Sequence, residues 1–155
     1  MTRRAVFLGL LLAAAVFSGA RRDKAEVRIC PTLDEAVPPP QGMVLLVFFS
    51  TECVSCYDDL FEARYLVEKG GWPVTVVGVF SGLRGDLRSF LEKYAWTLPV
   101  VLDRRRVLFK RFKVDAVPYK ALLAAGEAVY RDDPYKDFGR RRKELQKCLL
   151  RIFSR

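Results

Sequence analysis

The 155-residue sequence contains no histidine. That absence excludes Ser-His-Asp and Cys-His nucleophilic centres, histidine-ligated zinc and c-type haem attachment, all of which need an imidazole. Cysteine is sparse, four residues in all, too few to staple a chain of this length into a disulfide-held miniprotein. Acidic residues are outnumbered, 18 Asp and Glu against 27 Lys and Arg, for a formal charge of +9. Hydrophobic residues supply 51% of the chain, so a wholly disordered polymer is excluded. The length fits one domain. The chemistry that remains belongs to Cys, Asp, Glu, Lys, Tyr and the backbone.

The positive charge is concentrated at Arg104-Arg105-Arg106 and Arg140-Arg141-Arg142-Lys143. Both clusters open segments of helical periodicity, and no nucleic-acid motif accompanies them. They read as solvated helix faces, and nucleic acid is not an expected partner.

Arg3 and Arg4 precede an apolar run from Ala5 to Phe17, and Ser18-Gly19-Ala20 closes it with small residues. This is the pattern of a secretory signal. The run falls short of the roughly 20 apolar residues of a membrane span. Residues 1–20 are therefore expected to be a signal peptide or an N-terminal membrane anchor. Either places the rest of the chain outside the cytoplasm, in a bacterial envelope. No cysteine ends the run, so lipid attachment is not expected.

Residues 21–41 are polar and then proline-rich at Pro38-Pro39-Pro40. They are expected to form a linker, with a short edge strand at Val27-Arg28-Ile29. Met43–Phe49 is a continuous apolar run of the kind found in strands covered on both faces, and Val74–Phe80 (VTVVGVF) is expected to be a second buried strand. Between them, Ser50-Thr51-Glu52 offers helix-capping chemistry, a helix is expected from Val54 to Lys69, and Gly70-Gly71 ends it. Leu87, Phe90, Leu91 and Tyr94 carry an amphipathic helical spacing. Pro99–Asp103 reads as a short strand and Arg104–Phe112 as helical. Tyr119–Ala124 and Glu127–Arg131 read as a hairpin turning at Ala125-Gly126. Leu145, Cys148, Leu149, Ile152 and Phe153 place a helix at the end. Alternating strands and helices indicate an α/β class, with a central mixed β-sheet flanked by helices.

The sharpest chemical signal is Cys53-Val54-Ser55-Cys56, set where a buried strand hands over to a helix. The first turn of a helix offers unpaired N–H groups and a partial positive charge, which favour a thiolate. The thiolate is the attacking species in disulfide exchange. Cys53, nearer the terminus, is the expected nucleophile, and Cys56, one turn in, the resolving thiol. Haem attachment would need a histidine where Tyr57 stands. Zinc would need two further ligands, and Cys30 and Cys148 are each isolated, so no metal site is expected. An inert structural disulfide is the plain alternative.

With the dithiol placed, about residues 42–150 resemble the thioredoxin fold, and more narrowly the extracytoplasmic TlpA/ResA-type thioredoxin-like proteins, so a thioredoxin-like domain is expected over 42–155. The likeness runs through GMVLLVFFSTECVSC, VTVVGVFSG, DLRSFLEKYAWTLPVVLD and FKVDAVPYKALLAAGEAVYR, in that order. The resemblance implies that Cys53 and Cys56 are the attacking and resolving cysteines. It implies a cis peptide bond at Val117-Pro118, with the backbone of Val117 free to pair with an extended substrate and Pro118 keeping metal ligands from the sulfurs. An ordinary loop proline is the alternative. Asp59 matches an acidic position of the cytochrome c maturation branch and is a candidate proton relay, or else an exposed first-turn carboxylate. The chain departs from the family pattern at Glu52, where many relatives have Trp, and at the central pair Val54-Ser55. It departs also at Val47, where cytoplasmic thioredoxins carry a buried acid, and at Phe61, where a proline kinks the helix.

Cys148 falls on an apolar helical stripe and Cys30 precedes Pro31. A structural disulfide between them, two independent thiols, or a cysteine linked to a partner are the open readings. The expected activity is exchange of disulfides with protein substrates, without a dissociable cofactor and with electrons from a membrane donor. A thioredoxin-like binding module with an incidental dithiol is the non-enzymatic rival. A peroxiredoxin-like peroxidase is the enzymatic one, weakened by Leu46 standing where those enzymes carry a proline.

Overall fold

The computed structural model describes residues 27–39 and 41–154. The expected signal or anchor at 1–20 lies outside the described residues. Among the described residues no helix is long and apolar enough to cross a membrane.

Met43–Phe49 forms the central strand β2, preceded by β1 (Ile29–Cys30) and the short helix α1 (Leu33–Ala36). After β2 come α2 (Val54–Gly70), β3 (Val74–Phe80), α3 (Arg84–Lys93), β4 (Val100–Leu102) and α4 (Val107–Phe112). The hairpin β5 (Tyr119–Ala124) and β6 (Glu127–Arg131) and the helix α5 (Phe138–Phe153) complete the chain. One sheet runs in the order β1-β4-β3-β2-β5-β6. β1, β4, β3 and β2 pair in parallel, and β5 and β6 join antiparallel.

The absence of alternation in β2 has a direct cause. Leu45, Val47 and Phe49 enter one core with α2, α3 and α5, while Val44, Leu46 and Phe48 enter the opposite core with α1 and α4. A strand covered on both faces loses the apolar–polar alternation of a half-exposed one. Six of its seven residues are buried, each stabilising the fold by about 1.5–3 kcal/mol through loss of water contact. Gly78 of β3 completes the fit: a Cβ there would stand 3.0 Å from Phe49 and 3.2 Å from Val100.

Segment 27–39 is more than a linker. β1 extends the sheet, and Cys30, Leu33 and Ala36 are buried in the second core. The strand begins two residues later and ends one residue later than the pattern at Val27-Arg28-Ile29 suggests. The helix expected over Arg104–Phe112 begins only at Val107, because the Asp103 carboxylate binds the N–H groups of Val107, Leu108 and Phe109 at 2.7, 2.9 and 3.1 Å. That cap fixes where the helix starts. The hairpin turns at Ala125-Gly126, both at positive φ (48° and 84°), as a two-residue turn between twisted strands requires.

Candidate functional site

β2 ends at Phe49 and α2 begins at Val54, so the intervening turn sits at the carboxyl end of the central strand. Ser50 does not cap the helix as the sequence suggests. Its hydroxyl accepts from the Glu52 N–H at 3.2 Å and its carbonyl from the Cys53 N–H at 3.4 Å, which shapes the turn. Cys53 itself is the N-cap residue, without a side-chain capping bond. Its sulfur therefore stands at the open end of α2, beside unpaired N–H groups.

Cys53 and Cys56 form a disulfide with Cα atoms 5.3 Å apart, within the ordinary range for a bridge. The two sulfurs differ in access. Cys53 is half-buried, whereas Cys56 is fully buried beneath α2. The Ser55 hydroxyl lies 3.6 Å from the Cys53 sulfur, and Val54 beside it is 91% exposed. A reagent in solution meets Cys53 first.

The Val117–Pro118 peptide bond is cis. The Val117 carbonyl oxygen lies 3.9 Å from the Cys53 sulfur. Among the described residues the backbone N–H and C=O of Val117 take no backbone partner. The sequence-predicted pair Val117 and Pro118 is thus brought against the dithiol. Two clefts flank it: one holds Ser50, Ser81, Arg106 and Asp115 next to Val117, the other holds Asp58, Phe61, Tyr65 and Phe138 next to Ser55.

Asp59 is buried, not an exposed first-turn carboxylate: it is 2% exposed. One of its oxygens accepts from Lys120 and the other from Arg141 Nη1 at 3.2 Å. Lys120 also pairs with Asp132 at 3.2 Å, and Arg141 Nε donates to Asp132 at 3.0 Å. Two acids and two bases thus form a closed, neutral cluster beneath the dithiol helix. Lys120 pairs with Val47 in the β2–β5 ladder, so a cation stands on the neighbouring strand beside the position where the resemblance marks the loss of an acid.

Burial alone would push the Asp132 carboxyl up, but Arg141 and Lys120 outweigh it and hold the group below the ordinary carboxylate range. Burial, then the Asp132 charge beside it, pushes the Tyr130 phenol far above its ordinary value. Its hydroxyl donates to Asp132 at 3.2 Å.

Three members of this cluster, Lys120, Asp132 and Arg141, are absent from the sequence-derived site. Arg141 corrects the reading of its basic run as a solvated face, for it is 4% exposed. The signal was present: Arg141 precedes Leu145 and Leu149 by four and eight residues, on the stripe that α5 buries.

The Cys30–Cys148 disulfide is not formed. Both are free thiols, and they belong to opposite faces of the sheet, Cys30 in the core under α1 and Cys148 against the core under α2 and α5. The sheet between them prevents the approach a bridge requires. Burial pushes the Cys148 thiol up.

No protein-family model matches the chain, and no curated protein matches it. Solved structures do. StoA from Bacillus subtilis superposes with a TM-score of 0.58 at 19% identity, over 72% of this chain and 85% of that one. A secreted Mycobacterium tuberculosis disulfide oxidoreductase homologous to E. coli DsbE gives 0.56 at 20% identity, over 71% and 81%. The exposed lipoprotein thioredoxin Etrx1 from Streptococcus pneumoniae gives 0.56 at 21% identity, over 68% and 84%. The chain has a thioredoxin-like fold, as its sequence motifs led us to expect.

Proposed function

We propose that this thioredoxin-fold domain is a thiol–disulfide oxidoreductase that acts on protein disulfides outside the cytoplasm. The observation that carries the reading is the asymmetry of the dithiol: one sulfur accessible at a helix N-terminus, its partner buried one turn in. A vestigial or purely structural bridge has no need of that arrangement. In the reduced protein the Cys53 thiolate attacks one sulfur of a substrate disulfide. The substrate S–S bond breaks, the departing substrate thiolate takes a proton, and a mixed disulfide joins Cys53 to the substrate. The Cys56 thiolate then attacks the Cys53 sulfur and expels the second substrate thiolate. The substrate has gained two electrons and two protons, and the protein has become the Cys53–Cys56 disulfide. The same steps run backwards oxidise a dithiol.

Val117 is the proposed substrate-pairing residue, since its unpaired backbone groups border Cys53. Asp59, one turn after Cys56 and buried with it, is the proposed proton partner of Cys56. Asp59→Asn is expected to alter the pH profile of exchange. No dissociable cofactor is needed. The secreted and lipoprotein neighbours, together with the apolar N-terminal segment, support an extracytoplasmic site of action. There a membrane reductase is the proposed electron donor and apocytochrome c a proposed substrate.

The test is insulin reduction by dithiothreitol. Fast precipitation with the wild-type protein and no acceleration over dithiothreitol alone with Cys53→Ser is expected; a wild-type rate no greater than that of dithiothreitol alone would leave a binding module as the better description. Peroxide consumption under the same conditions is expected to be negligible.

A further inference from the structure

Arg141 reaches from α5 into the dithiol site. Its Nη2 donates to the carbonyl oxygen of Pro118 at 2.7 Å, its Nε to Asp132 at 3.0 Å and its Nη1 to Asp59 at 3.2 Å. Asp59 belongs to α2, the helix that carries Cys56. Pro118 follows Val117, whose carbonyl faces the Cys53 sulfur. One guanidinium therefore binds the helix on one side of the disulfide and the loop on the other. The planar fork fixes these directions together, which a lysine ammonium cannot do. The buried Pro118 carbonyl needs a donor, and Arg141 supplies it.

We propose that Arg141 is a positioning residue that holds the Val117–Pro118 segment against the dithiol helix and thereby sets the affinity for protein disulfides over small ones. The proposal rests on the exchange activity proposed above. An extended substrate must pair with the backbone of Val117, and any mobility in that segment is lost on binding, at a cost in affinity. A small disulfide needs only the Cys53 sulfur and is indifferent to the tie.

Two variants test this. Arg141→Lys keeps the buried charge and removes the fork. The double variant Arg141→Leu with Asp132→Asn removes one charge of each sign and leaves Asp59 with Lys120. Both are assayed well below their own unfolding midpoints. The KM for insulin is expected to rise about tenfold with kcat within about twofold, as expected for loss of one charge-assisted hydrogen bond felt in docking. The rate with dithiodipyridine is expected to stay within about twofold of wild type. A readout independent of activity is the backbone NMR order parameter of Val117, expected to fall from about 0.85 to below about 0.6 while β5 and α5 keep theirs. An unchanged order parameter, or equal losses on insulin and dithiodipyridine, overturns the proposal. A fallen order parameter in a protein that does not reduce insulin even as wild type upholds the tie and defeats the exchange activity instead.

Discussion

The sulfur of Cys53 and the carbonyl oxygen of Val117, 64 residues apart in sequence, lie 3.9 Å from each other. The sheet brings them together. β2 and β5 pair antiparallel with Phe48 opposite Tyr119, so the turn leaving β2 and the loop entering β5 emerge side by side. The Val117 N–H next to this contact has no backbone partner among the described residues. It is expected to gain one when a peptide is held on Cys53 as a mixed disulfide. Amide exchange at Val117 should then slow by at least about tenfold, as for any N–H moved from water into a ladder. Unchanged exchange would mean that substrates dock elsewhere.

Cys30 and Cys148 lie in cores on opposite faces of the sheet. Thiol titration of the oxidised protein in denaturant is expected to find two free thiols. In the native state, the Cys148 thiol, pushed up by burial, should alkylate more slowly at neutral pH than a peptide cysteine. A count of zero would restore the bridge between them.

The buried cluster of Asp59, Lys120, Asp132 and Arg141 makes a stability prediction. Lys120→Met leaves two buried carboxylates to one guanidinium and is expected to cost about 3–5 kcal/mol in urea unfolding. Lys120→Met combined with Asp59→Asn leaves the Arg141–Asp132 pair intact and should cost less than the sum of the single changes. Strict additivity would show that the four groups do not act as a unit.

Asp132 sets the acid limb. Its carboxyl lies below the ordinary range in the folded protein, because Arg141 and Lys120 outweigh its burial. A group lowered on folding stabilises the native state above its unfolded pKa and loses that contribution as the pH falls through the folded value. Stability is therefore expected to decline below about pH 4, the ordinary carboxylate range. Asp132→Asn should flatten that limb while lowering stability at pH 7. An unchanged limb, measured by urea midpoints across the range, would assign acid sensitivity to other carboxylates.

The features legible in the sequence were those with local causes. The apolar run at 43–49 and the largely apolar segment 74–80 mark doubly covered strands because side chains of both faces enter apolar cores. Cys53-x-x-Cys56 announces its position because the strand-to-helix handover is itself local. The ion-pair partners of Lys120 and Arg141 are opaque for the opposite reason, although the place of Arg141 on the buried stripe of α5 is legible. Each of these two residues is a cation in a segment whose neighbours are charged or apolar in the ordinary way, and its partner lies 61 and 82 residues away at Asp59. Only packing α2 and α5 on the same face of the sheet brings them together. The start of α4 is hidden in the sequence by the run Arg104–Arg106, because the Asp103 carboxylate, which binds the N–H groups of Val107 and Leu108, sets it three residues later.

The central claim is that Cys53 attacks and Cys56 resolves. Its most direct measurement is mass spectrometry of the mixed disulfides formed when single-cysteine variants of the full chain meet a protein disulfide. Cys56→Ser should accumulate an adduct linked through Cys53, because the resolving sulfur is gone, and Cys53→Ser should accumulate none, because Cys56 is fully buried. Equal adducts on both variants, or an adduct on Cys56 alone, would contradict the account.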